Sequence, residues 1–183
     1  VGPISLEALQ PAFEFAVGRM PVEEASVMLQ RLPGLGRIGT ESVERQFIDT
    51  AILDSLRAND ILNISTYEPA QFTAVGGETW FNPLGDLGQR VVAQKGGARA
   101  ADLLGSARAA VAMTNRVLAC DFIGALSRGE GGRDFGGIQV DNGKFDILDM
   151  SERTLANLTI ENCYVGTLCL PGAAATNVRV VGC

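Results

Sequence analysis

From Phe135 to the end of the chain, every fifth residue is apolar: Phe135, Val140, Phe145, Met150, Leu155, Ile160, Val165, Leu170, Ala175 and Val180. Ten hits in one register, in a chain that is 46% hydrophobic, make a repeat rather than a chance run. A period of five fits neither the 3.6 of a helix nor the 2.0 of a flat strand. It suits a chain that turns a corner after each short segment and coils into a four-sided parallel solenoid.

A second line lies two residues before the first: Ile138, Gly143, Leu148, Leu158, Cys163, Leu168, Ala173 and Val178, with Arg153 the exception. Two inward side chains flanking one outward residue are what a short strand needs to line one wall. Four walls make a turn of twenty residues, and segments twenty apart do look alike: Gly137-Ile138-Gln139-Val140-Asp141-Asn142-Gly143, Asn157-Leu158-Thr159-Ile160-Glu161-Asn162-Cys163 and Asn177-Val178-Arg179-Val180-Val181-Gly182-Cys183. In these residues the chain resembles the pentapeptide-repeat family. That resemblance implies a right-handed quadrilateral parallel β-solenoid over residues 133–183. Ile138, Leu158 and Arg153 depart from the family's small inward site, which implies a distorted coil there.

The front of the chain has helical periodicity. Ser5 caps a segment carrying Leu6, Leu9, Phe13 and Val17, and Pro21 with Glu23 and Glu24 opens a second that ends at Pro33-Gly34. Thr40 is the expected N-cap of a third helix with the stripe Val43, Phe47, Ile48, Ala51, Ile52 and Leu56, closed by Ala58-Asn59-Asp60. Ile61 to Thr66 and Phe72 to Val75 then read as two strands, completing the element order of a winged helix. Further helices are expected over 84–94 and 98–126, broken at Thr114-Asn115, with the glycine-rich segment 127–132 as a loop. The expected fold is therefore α+β. A helical lobe with a winged-helix-like front (1–78) and a helical connector (79–132) leads into a pentapeptide-repeat-like β-solenoid (133–183). Val1 is not methionine and Cys183 falls partway through a turn, so the sequence reads as a piece of a longer polypeptide.

Composition removes several kinds of chemistry. With no histidine, Ser-His and Cys-His nucleophile activation is excluded, and the four cysteines lack zinc-site spacing, so no catalytic, cofactor or metal residues are assigned. Cys163 and Cys183 share one inward position a turn apart, which raises the question of a disulfide; the reading adopted is a pair of small core residues in a cytoplasmic protein. Gly34-Leu35-Gly36-Arg37-Ile38-Gly39 fits a dinucleotide-loop pattern. A helix rather than a strand is expected before it, and no phosphate-loop lysine follows, so it is read as a turn between helices. No apolar stretch is long enough to span a membrane. Over residues 1–60, five arginines face nine acidic residues, which opposes phosphate contact, and no nucleic-acid partner is expected. Asp141 and Glu161 take equivalent outward positions one turn apart and read as a solvated wall, although stacked carboxylates can also hold a cation or act as an acid/base pair.

Leu29-Gln30-Arg31-Leu32-Pro33-Gly34-Leu35-Gly36, then Arg45-Gln46-Phe47-Ile48-Asp49, then Trp80-Phe81-Asn82-Pro83-Leu84-Gly85, resemble the segment after the nucleotide-binding domain in bacterial NACHT-type members of the STAND NTPases. That resemblance implies a non-catalytic regulatory and protein-interaction fragment of a larger bacterial signalling ATPase, with antiphage defence as its setting. The partner is then a protein or an upstream ATPase domain, contacted through Arg31, Arg37 and Arg45, while the outward Asp141 and Glu161 belong to the solenoid's surface. The alternatives are a free-standing pentapeptide-repeat protein acting on a DNA enzyme, and a β-helical carbohydrate-active enzyme.

Overall fold

A computed structural model describes residues 34–37, 45–47, 49–65, 83–130, 133–151, 154–170 and 175–183, together with Pro11, Glu14 and Gly18. Of the first expected helix only Pro11 and Glu14 are described, both helical, and the second expected helix, the Thr40 cap, Arg31 and the expected strand at Phe72 to Val75 lie outside the described residues. The fold is α+β, with helices followed by parallel strands in small sheets. The chain divides into two compact units, Val1–Leu53 and Asp54–Cys183.

In the first unit, β1 (Leu35–Arg37) pairs antiparallel with β2 (Arg45–Phe47). The expected third helix is corrected here: α1 spans Thr50–Ile64 and does not include Arg45 to Phe47. Its start is set by Asp49, whose carboxylate accepts the Ala51 N–H at 2.8 Å, the bond of an aspartate N-cap. Its end is corrected too, because Ile61 to Ile64 are helical rather than a strand. Asn59 and Asp60 resemble a stop signal but sit on the exposed face, while Ala58, Ile61, Leu62 and Ile64 are buried, so packing carries the helix onward. Ser65 Oγ donates to the Leu62 carbonyl and closes the final turn.

In the second unit, α2 (Asp86–Gly96) runs through a 3-10 turn into α3 (Ala100–Ala112), and α4 (Arg116–Arg128) follows. Asn115 caps α4 by accepting the Leu118 N–H, placing the helix break where Thr114-Asn115 predicts it. The expected loop at 127–132 begins later, since Ser127 and Arg128 are the last residues of α4. Every residue of α4 from Leu118 to Ser127 is buried. Such a helix must be covered on all sides, and α2, α3 and the first strands do this.

The strands are β3 (Arg133–Asp141), β4 (Lys144–Asp149), β5 (Leu155–Glu161), β6 (Tyr164–Cys169) and β7 (Ala175–Val181). One sheet has the order β3-β5-β7 and another the order β4-β6, all parallel. The partners lie twenty residues apart: Val140 with Ile160, Phe145 with Val165, and Ile160 with Val180. The exception is the start of β3, where Arg133 pairs with Leu155 and the register shifts between Asp134 and Ile138. Gly136 and Gly137, at φ 61° and 81°, form this bulge. A side chain on Gly136 would strike the Arg108 guanidinium.

The inward lines are buried from Phe135 through Ile160. Two sequence expectations fail on the outermost turn: Val165 is only half-buried, and Leu170 is 65% exposed rather than buried. The cause is topological, because β6 and β7 are edge strands of their sheets. The other end of the stack is covered, with α4 packed on β3 and β4 and α3 on β3.

Candidate functional site

The surface of the strand stack is organised by its corners. Asn142, Asn157, Asn162 and Asn177 have φ between 51° and 57°, and Gly137 and Gly182 complete the two columns at φ 81° and 67°. Each corner needs a left-handed residue, which glycine adopts freely and asparagine tolerates best among residues with side chains. Their amides then join successive turns: Asn177 Nδ2 donates to Asn157 Oδ1 at 3.1 Å, and Asn157 Nδ2 to Asp134 Oδ1 at 3.0 Å. Bonds from Asn157 and from the Gly136 N–H hold the Asp134 carboxyl below its ordinary range.

Asp141 and Glu161 are brought together as register partners on β3 and β5. Like charges placed opposite each other are unfavourable. Amide donors offset that repulsion: Asn142 Nδ2 lies 2.6 Å and Asn162 Nδ2 3.1 Å from the Asp141 carboxylate, and Gln139 Nε2 lies 2.8 Å from Glu161. Val181 occupies the next position, so the acidic column is two residues long. Arg37 and Arg45 are also register partners, across the β1-β2 pair, and Arg37 is exposed. Arg31 lies outside the described residues.

Several large apolar side chains on and beside the edge strands β6 and β7 are exposed. Tyr164 is 66% exposed, and Leu168, Leu170 and Val181 are exposed with it. Lys144 Nζ stands 5.8 Å from the Tyr164 ring centroid, a cation-π contact between adjacent turns.

A polar cleft of about 360 Å³ lies where α2, the end of α4 and the turn after β4 meet, lined by Arg90, Gln94, Arg128, Glu130, Asp149 and Ser151 among others. Arg128 is held from several sides: Asp86 at 2.7 Å, Asp149 at 3.6 Å and Gln89 Oε1 at 3.1 Å from its Nε. Burial raises the Asp149 carboxyl, but bonds from Ser151 and the charges of Arg128 and Arg90 outweigh it, leaving the group below its ordinary range.

Sequence reasoning missed the buried polar hub of the helices. Asp121 is fully buried and accepts both Arg57 Nη2 at 2.8 Å and the Leu84 N–H at 2.6 Å. Burial pushes its carboxyl up to about 7, against the opposing pull of Arg57 and the Leu84 N–H. Asp54 accepts the Gly85 N–H at 2.8 Å and the Gly88 N–H, supplying from α1 the cap that Gly85 lacks on α2. No local motif marks these partners, which are 31 to 64 residues apart. The corner asparagines, in contrast, recur at offsets of five and twenty and are legible in the sequence.

Among the described residues, no group of three or more His, Cys, Asp or Glu side chains could hold a metal ion. Among them, too, no helix is long and apolar enough to cross a membrane. Comparison with protein-family models, curated proteins and solved structures finds no match to this chain.

Proposed function

We propose that residues 133–183 are the start of a right-handed quadrilateral, pentapeptide-repeat-like coil that serves as a protein-interaction surface, and that the chain is a non-catalytic regulatory part of a bacterial signalling ATPase of the STAND type, with antiphage defence as its setting. The observation that carries the interaction reading is the outward Tyr164, 66% exposed, with the Lys144 ammonium 5.8 Å from its ring centroid. An exposed aromatic side chain held beside a charged one is a usual anchor of a recognition surface. The coil itself is supported by the twenty-residue register and the recurring left-handed corners.

In this reading the helices α2 to α4 form a stiff mount, and a partner seated on the outer turn shifts an upstream nucleotide domain between closed and open states. Arg31, Arg37 and Arg45 are the proposed contacts to that domain. The test is to extend the coding sequence upstream of Val1, purify the longer protein, and measure ATP hydrolysis and assembly state with and without Tyr164→Asp and Leu170→Asp. The proposal expects a phosphate loop upstream and a change of assembly in the variants with the fold intact. No phosphate loop, or variants indistinguishable from the parent, would overturn it. The fragment itself is expected not to bind fluorescent duplex DNA at physiological salt; micromolar, steeply salt-dependent affinity would favour a nucleic-acid role.

A further inference from the structure

We propose that Cys163 and Cys183 form a dithiol site that closes to a disulfide between consecutive turns of the strand stack when the protein meets a glutathione-type disulfide. Both are free thiols in the structure. They are equivalent residues twenty apart, each two positions beyond the register partners Glu161 and Val181. Their side chains repeat one arrangement. Cys163 Sγ donates to the carbonyls of Glu161 and Val140, two and twenty-three residues back, at 3.2 and 3.6 Å. Cys183 Sγ donates to those of Val181 and Ile160, at the same two separations, at 3.5 and 3.8 Å.

That repetition fixes where the sulfurs lie. Cys163 Sγ accepts the Gly143 N–H at 3.1 Å, and a Cβ built on Gly143 would lie 3.4 Å from it. Repetition of that placement one step on puts the Cys183 sulfur beside Cys163, and the two thiols do interact electrostatically. Strand spacing of about 4.8 Å falls within the Cα separation, about 4.4–6.8 Å, that disulfides span. A change of the Cys163 rotamer then brings the two sulfurs together. On the first turn the same position is Gly143, and a Cβ built there would lie 2.6 Å from Cys120 Sγ; Cys120 is buried and burial pushes its thiol up, so it is a poor source of the attacking thiolate.

Exposure orders the two steps. Cys183 is exposed and Cys163 is 3% exposed. Burial foremost, with a lesser contribution from Cys183, pushes the Cys163 thiol up, so Cys163 reacts second, once the mixed disulfide holds a target beside it. The Cys183 thiolate attacks one sulfur of oxidised glutathione, forming a mixed disulfide and releasing one glutathione thiolate. Cys163 then loses its proton to solvent and attacks the Cys183 sulfur, releasing the second glutathione thiolate. Two protein thiols are oxidised by two electrons, and one glutathione disulfide is reduced to two glutathione thiols.

The experiment treats the reduced full chain with oxidised glutathione, quenches with acid, counts thiols under denaturing conditions and maps the linked peptides. The pair is expected to be joined within one chain without retained glutathione. Cys163→Ser is expected to keep glutathione on Cys183, and Cys183→Ser to leave Cys163 reduced. Persistent glutathione on Cys183 of the unaltered chain, a link between two chains, or an unmodified pair would each overturn the proposal.

Discussion

The helices of the second unit and the strands that follow are held together in opposite ways. The helices depend on a few long-range polar contacts: Asp121 binds Arg57 and the Leu84 N–H, and Asp54 caps α2. The strands repeat one small interaction set every twenty residues, with an inward apolar pair, a left-handed residue and an amide bridge to the paired strand. A fault among the helices therefore strikes a long-range contact that no repeat duplicates. A fault among the strands is local, and its cost depends on whether the strand it strikes is covered.

The largest test of that contrast compares two positions of one column type. Ile160→Asp buries an unpaired carboxylate between β3 and β7 and is expected to cost about 4 kcal/mol or more in urea denaturation. Leu170→Asp, on the exposed outer turn, is expected to change stability by less than about 0.5 kcal/mol. Equal costs would mean that the outer turn is as buried as the inner one.

Asp121→Asn tests the helices by replacing one of the two oxygens that accept from Arg57 and from the Leu84 N–H. A loss of about 2 kcal/mol is expected at pH 5, because the amide offers one acceptor oxygen to two buried donors. A near-neutral result would show that the hub contributes little to holding α1 against α4.

The same residue sets a pH dependence. The Asp121 carboxyl is raised from its ordinary 3.8 to about 7 by burial, so the folded state binds the proton more tightly than the unfolded chain. Its contribution to stability is therefore full below pH 3.8 and is lost as pH rises through about 7. Between pH 5 and 8 that loss is expected to be roughly 2–3 kcal/mol and to be absent from Asp121→Asn. A wild-type profile that matches the variant would contradict the assignment.

A smaller destabilisation is expected at the left-handed position Asn162. Asn162→Ala removes the amide bond to Asp141 and places alanine at φ 51°, for a cost of about 1–2 kcal/mol, whereas Asn162→Gly loses only the bond. Equal costs for the two would mean that the corner's left-handed backbone is not under side-chain control.

These differences explain how far the sequence could be read. The stack is specified by spacing, so Val140, Phe145, Met150, Leu155 and Ile160 identify themselves as core, and Asp141 and Glu161 as neighbours, before any coordinates are consulted. The exposure of Leu170 is not legible, because spacing assigns a column without saying whether another strand covers it. The start and end of α1 were misread because Thr40, Asn59 and Asp60 carry familiar boundary chemistry, while Asp49 and the buried face through Ile64 decide the outcome. Asp121 lay hidden inside an otherwise apolar helix, since its partners come from α1 and from the segment before α2.

The parallel strands of each sheet pair at an offset of twenty residues. Nuclear Overhauser contacts in isotopically labelled protein read that offset directly. The account expects backbone cross-peaks joining Val140 to Ile160, Ile160 to Val180 and Phe145 to Val165, together with broken pairing between Asp134 and Ile138. Helical contacts between residues three apart over 138–165, or strand contacts at a different offset, would contradict it.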